Sequence, residues 1–160
     1  MPGAGPVTAR IVFVGEAPGR QEDLRGEPFV GRAGAVFDEL LSSIGLARRD
    51  VYITNVVKSR PFTGRAPGRN RRPAPDEIAA CVPWLHDQLA IIRPRIVVTL
   101  GGVALDCLCP GAALAAVHGR RIAHEAFAVV PLYHPAMARY GPRWRAVLRR
   151  DFRRLRQLLE

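Results

Sequence analysis

Glu16, Asn55 and His134 each lie just past the end of an apolar stretch of the sequence. The three stretches cover residues 11–14, 51–54 and 127–133. In an open parallel α/β sheet, ligands bind in the crevice beyond the carboxyl ends of the strands. Such a sheet would bring a carboxylate, an amide and an imidazole to one rim. We therefore predict an active site at this rim.

The sequence predicts strands and helices that alternate along the chain and could position these side chains. Apolar runs at 10–14, 51–57 and 95–100 are continuous, as in strands buried on both faces. Helical periodicity predicts helices over 32–44 and from about 75 to 91, a third from 101–102 onward, and a last one over about 142–159. This order is typical of βαβ units around a parallel sheet, so we predict an α/β fold in one domain, 1–160.

The net charge of +10 favours a polyanionic partner. Lys58 is the only lysine, so arginine carries almost all of the positive charge. Guanidinium groups bind phosphate in bidentate fashion and stack on bases, which points to nucleic acid. The alternative is that a high-GC genome enriches arginine without any such partner.

Cysteine usage and the N-terminus bear on the compartment. Cys81, Cys107 and Cys109 have no disulfide-framework spacing, which favours a reducing interior. The first residues carry no signal-peptide pattern, and no apolar run approaches membrane-spanning length. We expect a soluble, cytoplasmic monomer.

Residues 59–75 form a basic segment that leaves the strand end presenting Asn55. Its proline and glycine content argues against a helix or a strand interior, so we predict a surface loop. Its position beside the predicted site makes it a candidate for phosphate binding through five arginines: Arg60, Arg65, Arg69, Arg71 and Arg72.

The first turn excludes one class of function. Gly15-Glu16-Ala17-Pro18-Gly19 lacks both the glycine spacing of dinucleotide sites and the Gly-Lys-Ser/Thr ending of a Walker loop. A nucleotide hydrolase is therefore disfavoured. Glu16 could orient a water or stabilise a developing cation, and its alternative role is a helix N-terminal charge.

In combination, the motifs of the chain resemble those of the uracil-DNA glycosylase superfamily, and most of all its family 4 branch. The matching residues occur in the family's order: 15–19, Glu22-Asp23, 26–34, 54–58, 71–81, Leu100-Gly101 and His134-Pro135-Ala136. The resemblance implies a three-layer α/β/α sandwich around a central four-stranded parallel sheet. It also implies hydrolysis of the N-glycosidic bond of deoxyuridine in DNA, which leaves an abasic site.

The resemblance assigns roles to the site residues. Phe29 would stack on a flipped uracil, Asn55 would pair with its O4 and N3–H edge, and the backbone at Ala17 would add an N–H contact. Glu22 would crowd the C5 edge and exclude thymine. His134 would stabilise charge on O2, and Glu16 would stabilise the sugar cation and hold the attacking water.

The chain departs from the family 4 pattern at the cofactor. Family 4 members carry an iron–sulfur cluster on four cysteines, of which only Cys81 is present here, while Ser59 stands at another of these positions. One cysteine does not hold such a cluster, so we predict no cluster, no other cofactor and no metal.

Two further departures concern DNA. The 59–75 segment resembles the extended basic loop of the X-type branch, but it has no histidine, with Asn70 near the expected place, so covalent trapping is not expected. The segment after His134 lacks the family's leucine-rich wedge and offers Met137 or Tyr140 instead. The predicted DNA contacts are thus Lys58, the five arginines, Met137, Arg139 and Tyr140.

We predict that the partner is uracil-containing DNA, single- or double-stranded, and that the protein is a repair enzyme. One alternative is a catalytically silent binder of uracil-DNA or single-stranded DNA. Another is a glycosylase for deaminated purines, although the amide of Asn55 suits a pyrimidine edge.

Overall fold

Four parallel strands form the centre of the molecule. The computed structural model describes residues 1–159. The parallel strands are β1 (Ile11–Gly15), β2 (Tyr52–Asn55), β5 (Ile96–Leu100) and β7 (Ala128–Leu132). They lie in the order β2-β1-β5-β7, which confirms the predicted four-stranded parallel arrangement.

A fifth strand at the edge of the sheet was not predicted. β6 (Ile122–Ala123) pairs antiparallel with β7, so the sheet has five strands in all. The connecting turn is closed by the ring of His124, which stacks on Phe127 with centroids 4.2 Å apart. A two-residue strand has too little alternation to be recognised by periodicity.

Both faces of the sheet are covered, which is why its strands are continuously apolar. Side chains alternate across the sheet, so Phe13 packs into one hydrophobic cluster while Val12 and Val14 pack into the other. The Phe13 cluster includes Phe37 and Phe152 from two covering helices. The opposite cluster includes Leu85, Leu89 and Ala104 from two others. The predicted three-layer sandwich is confirmed.

The helices follow the predicted order closely. Their bounds are α1 (Arg20–Arg25), α2 (Arg32–Ser43), α3 (Pro75–Ile92), α4 (Gly102–Leu108), α5 (Leu114–Val117) and α6 (Pro142–Leu159). Short 3-10 helices cover Arg48–Asp50 and Pro135–Tyr140. Glu77 accepts from the Ala74 N–H at 2.7 Å, which satisfies a backbone donor at the start of α3. Helices α1 and α5 were not predicted, since each is six residues or shorter.

The prediction that residues 59–75 hold no strand was wrong. β3 (Phe62–Thr63) and β4 (Arg69–Asn70) pair antiparallel, and we call the segment 59–75 the basic hairpin. Gly68 has φ +57, and a Cβ there would lie 2.5 Å from the Phe62 ring. The hairpin forms because glycine permits this turn and because Arg60 bonds across it to Asn70 and two backbone carbonyls.

The carboxyl ends of the parallel strands meet at one rim of the sheet. Gly15 at the end of β1 is directly opposite Asn55 at the end of β2. His134 follows the end of β7 and caps the 3-10 helix that begins at Pro135. None of the helices within residues 1–159 is long and apolar enough to cross a membrane.

Candidate active site

A cleft of about 740 Å³ opens at this rim. Of the residues predicted from sequence, it is lined by Glu16, Ala17, Glu22, Phe29, Asn55, His134, Arg71, Arg72 and Arg139. The three stretches carrying Glu16, Asn55 and His134 are thus brought together.

The floor of the cleft is defined by a close approach at Gly15. A Cβ built at this position would lie 2.3 Å from the Asn55 Oδ1 and 2.9 Å from two ring atoms of Phe29. Only glycine allows the amide and the ring to lie this close to β1. The amide of Asn55 is buried, yet no residue within 1–159 hydrogen-bonds to it, so its donor and acceptor are available to a ligand.

Phe29 forms an aromatic wall of the cleft. Its ring lies 5.5 Å from that of His134 at an interplanar angle of 28° and 5.1 Å from that of Phe37. The side chain is buried, and its backbone has φ +55, a conformation rare outside glycine. A planar ligand entering the cleft meets a ring held from behind by the core.

His134 presents a neutral imidazole. The Ala136 N–H donates to Nδ1 at 3.1 Å, so in the neutral ring the proton is on Nε2. Burial lowers the pKa of His134 to about 4, and the carboxylate of Glu22 opposes this shift only in part. At neutral pH the ring therefore offers one N–H donor without carrying a positive charge.

Glu16 provides a carboxylate of raised basicity. Burial raises the pKa of Glu16 above its ordinary value, and the nearby guanidinium of Arg72 partly opposes the rise. The carbonyl of Glu16 accepts from the Val57 N–H at 3.0 Å, which fixes the residue to the chain leaving β2. Such a carboxylate can accept a proton from water more readily than an exposed one.

The carboxylate of Glu22 has a structural task as well as a place in the cleft. Its Oε1 accepts from the N–H groups of Val30 and Gly31 at 3.0 and 2.9 Å. These bonds fix the segment that carries Phe29. Exclusion of thymine by Glu22 stays a prediction.

The five arginines of the basic hairpin divide into three groups. Arg60 bonds to Asn70 and to two carbonyls within the hairpin, and Arg71 pairs with both carboxylate oxygens of Glu77 at 2.7 Å. That pair lowers the pKa of Glu77 to about 2. By contrast, Arg65 and Arg69 are exposed, and within residues 1–159 nothing hydrogen-bonds to their guanidinium groups. Arg72 lines the cleft beside Glu16.

Lys58 is not brought to the cleft. Its ammonium donates to the Thr54 hydroxyl at 2.9 Å, to the Asn55 carbonyl at 2.6 Å and to Gln88 Oε1 at 2.7 Å. Burial lowers its pKa to about 8. The three donors of the ammonium are used inside the protein, so the geometry gives Lys58 the structural task of holding the strand end at Asn55.

Met137 and Tyr140, the two residues predicted as a wedge that fills the space of the flipped base, differ in their exposure. Met137 is partly buried and packs against the core cluster containing Phe13, whereas Tyr140 is 58% exposed. Arg139 lines the cleft and covers the Tyr140 ring at 4.6 Å from its centroid. Tyr140 is the candidate that projects from the surface.

The cleft also contains residues that the sequence reasoning did not select. They are Pro18, Gly19, Arg20, Gln21, Gly31, Arg32, Ala33, Pro61, Asn70 and Ala136. Most are chain neighbours of selected residues, so extending each motif by one or two positions would have found them. Asn70 lies between the selected Arg69 and Arg71, and it belongs to the strand β4 that pairs antiparallel with β3.

The cysteines do not fit a four-thiolate cluster. Three cysteines cannot supply four thiolates, and Cys81 accepts from the Lys58 N–H at 3.4 Å and packs against the cluster containing Val12. Across the described residues, no three His, Cys, Asp or Glu side chains are grouped so as to hold a metal ion. That the protein carries no cluster stays a prediction.

Comparisons with known proteins agree with the site. Residues 2–157 match the Uracil DNA glycosylase superfamily. The chain is 43% identical to a type-4 uracil-DNA glycosylase of Archaeoglobus fulgidus, over 99% of this chain and 81% of that protein. It is 42% identical to the Saccharolobus solfataricus type-4 protein, over 99% and 76%, and 45% identical to that of Thermotoga maritima, over 84% and 68%. The chain therefore belongs to the uracil DNA glycosylase superfamily.

Proposed function

We propose that this protein hydrolyses the N-glycosidic bond of deoxyuridine in DNA, releasing uracil and leaving an abasic site. The observation that carries the proposal is the juxtaposition in one cleft of an unpartnered buried amide, an aromatic wall and a neutral imidazole donor. The relatives' names, type-4 uracil-DNA glycosylases, support the same reaction.

Binding selects the base through the amide and the ring. A base inside a duplex cannot reach a buried pocket, so the deoxyuridine must be flipped out of the stack. Phe29 then covers one face of the base, and the Asn55 amide pairs with O4 and N3–H. Cytosine carries an amino donor at C4 in place of O4 and an acceptor at N3 in place of N3–H. In the same orientation, the buried amide would therefore face a donor with its donor and an acceptor with its acceptor.

Cleavage proceeds by loss of uracil as an anion. The electron pair of the bond between C1′ and N1 moves into the base, and negative charge develops on O2. The Nε2–H of His134 donates to that oxygen, and a neutral donor stabilises it without transferring a proton. Water adds to the cation-like C1′ and loses its proton toward Glu16, which also stabilises the cation. Solvent protonates the released uracil.

The rim binds the DNA strand around the flipped nucleotide. We propose phosphate contacts for Arg65, Arg69 and Arg72, which belong to the hairpin shaped by Arg60 and Arg71. We propose a further phosphate contact for Arg139, which lines the cleft from the 3-10 helix after His134. Tyr140 is the residue we propose to fill the space left by the base. We further propose that the protein acts as a monomer. We also propose that it folds without an iron–sulfur cluster, because the chain has three cysteines, one fewer than the four thiolates of such a cluster.

Strand cleavage tests the reaction directly. Purified protein is incubated with labelled single- and double-stranded oligonucleotides containing one uracil, followed by alkali. We expect breakage at the uracil with repeated turnover, and no iron absorbance in the sample. Glu16→Gln and His134→Ala should each lower the rate by roughly 100-fold or more, which is typical of a lost acid–base or electrostatic group, with little change in binding.

Glu125→Gln is a matched control, since Glu125 is exposed in the turn between β6 and β7. It should cleave at the rate of the wild type. Retarded migration without breakage would instead identify a non-catalytic binder of uracil-DNA. Breakage only at hypoxanthine or xanthine would replace uracil by deaminated purines as the substrate.

A further inference from the structure

The segment 28–31 holds Phe29 in an unusual backbone conformation. Phe29 and Arg93 are the two non-glycine residues with positive φ within 1–159. A conformation of this kind persists only when surrounding contacts determine it. Two charged side chains of opposite sign hydrogen-bond to the backbone around Phe29.

Arg48 binds the carbonyl side. Its Nη1 donates to the Pro28 carbonyl at 2.8 Å, and its Nη2 donates to the Phe29 carbonyl. Its Nε donates to Asp38 in α2 at 2.7 Å. The guanidinium also lies over the Phe37 ring, 5.9 Å from the centroid. All three kinds of nitrogen in the guanidinium are therefore engaged, which a lysine could not reproduce.

Glu22 binds the amide side. Its carboxylate accepts from Val30 and Gly31, the two residues that directly follow Phe29. Four successive residues are thus fixed, the first two through carbonyls and the next two through N–H groups. The segment also packs tightly against α2 at Gly34, where a Cβ would lie 1.9 Å from the Phe29 carbonyl oxygen.

We infer that Arg48 is a positioning residue for base recognition, acting through the backbone of Phe29. The inference rests on the proposed function and deepens it. Arg48 is not among the residues that line the cleft, so its effect reaches the base only through the ring. With φ in the ordinary negative region, the ring would leave its place against His134 and Gly15.

The adjacent arginine provides a matched control. Arg49 lies in the same 3-10 helix, is exposed, and has no hydrogen bond or ion pair of its side chain within residues 1–159. We compare Arg48→Met and Arg48→Lys with Arg49→Met and Arg49→Lys. The measurements are kcat, KM, the inhibition constant of free uracil, and exchange of the Val30 and Gly31 amide hydrogens.

Because Phe29 would contact the base and not the bond that breaks, we expect Arg48→Met to raise the uracil inhibition constant and KM by about tenfold and to lower kcat less. Both effects should stay below the roughly 100-fold loss of rate that a 1 Å misplacement of reacting groups can cause. Arg48→Lys should recover only part of this loss. Amide exchange at Val30 and Gly31 should accelerate in both Arg48 variants. The Arg49 variants should match the wild type in every measurement.

The possible failures are distinguishable. If wild type cleaves uracil-DNA and Arg48→Met loses thermal stability but keeps the uracil inhibition constant well below its melting temperature, the positioning role is overturned and the proposed function stands. If wild type neither cleaves nor binds uracil, the proposed function fails. Unchanged amide exchange in Arg48→Met would overturn the role of Arg48 in either case.

Discussion

The floor of the cleft and the basic hairpin lie side by side at the same rim, but they use their polar groups differently. In the floor, Asn55 is buried and His134 is partly buried. The Asn55 carbonyl and the His134 Nδ1 accept hydrogen bonds from the protein, while the Asn55 amide and the His134 Nε2 keep hydrogen-bonding capacity for a ligand. In the hairpin, the guanidinium groups of Arg60 and Arg71 donate hydrogen bonds to other groups of the protein, while Arg65 and Arg69 remain exposed.

This difference separates two kinds of contribution to one reaction. Buried groups at fixed positions depend on geometry and are little screened by salt. Exposed arginines facing a polyanion tolerate small displacements, but their contribution falls as salt rises, because binding releases counterions from the DNA. The floor should therefore govern the choice of base and the rate of cleavage, and the hairpin should govern how firmly DNA is held.

Among the changes that distinguish the shape of the floor from the charge of the hairpin, the largest expected effect comes from Gly15→Ala. The added methyl would lie 2.3 Å from the Asn55 amide and 2.9 Å from the Phe29 ring, so both must move. We expect kcat/KM on single-stranded uracil-DNA to fall by about 100-fold. The slope of DNA affinity against salt should not change.

Gly102→Ala at the start of α4 is the control, since a Cβ there meets nothing within 4 Å and the residue has no positive φ. It should behave as wild type. Equal activity of Gly15→Ala and Gly102→Ala would show that the close approach at Gly15 does not set the pocket.

An intermediate effect is expected from pH, through Glu16. Its pKa is raised, and the proposed role needs the ionised form, so activity should be present above that pKa and lost as pH falls through it. His134 adds no step near its ordinary pKa of 6.5, because its pKa of about 4 leaves it neutral across that range. The pH dependence of kcat in single-turnover reactions measures this limb.

The substitution Arg72→Gln tests this assignment, because Arg72 belongs to the hairpin and its charge acts on Glu16 in the floor. Removing the guanidinium that lowers the pKa of Glu16 should move the acid limb to higher pH. Glu16→Gln should remove the limb together with most of the rate. An acid limb that persists unchanged in Glu16→Gln would assign it to another group.

The smallest effect on rate is expected from the double variant Arg65→Gln/Arg69→Gln. Loss of two phosphate contacts should reduce the slope of log affinity against log salt by about 1.8 on duplex DNA, at about 0.9 per contact. KM should rise at moderate salt while kcat stays unchanged.

The matched control is Arg10→Gln/Arg95→Gln, two exposed arginines that precede β1 and β5 at the opposite rim. Its salt slope should equal that of the wild type. If the slope of log affinity against log salt fell equally in the two double variants, the positive charge would act through the net field of the protein and not through contacts of the hairpin.

Much of this organisation was predictable from local sequence. The continuous apolar runs identified the four parallel strands, because strands covered on both faces need no polar side. The residues following those strands identified the cleft. The small elements escaped prediction because two paired residues, as in β3 or β6, carry no periodic signal.

What sequence could not reveal was the partner of each charged side chain. The charge and position of Lys58 and Arg60 predict DNA contacts, yet both side chains bond inside the protein. Lys58 reaches Gln88, thirty residues away, and Arg60 bonds across the turn of its own hairpin. The role of Arg48 was not predictable from sequence. Its carbonyl partners lie about twenty residues away, and any residue type can supply a backbone acceptor. Long-range hydrogen bonding decides these roles, and residue type alone does not.

The pairing of Gly15 with Asn55 across β1 and β2 has a consequence for how the pocket assembles. The carboxylate, the ring and the amide all belong to one strand–helix–strand unit in the first third of the chain, whereas the imidazole arrives on the last strand of the sheet. Contacts close in sequence cost less loop entropy and form early. On the proposed roles, base recognition rests mainly on residues 16–55 and departure of the base is assisted by His134, so we expect fraying of the β7 end to lower turnover more than uracil binding.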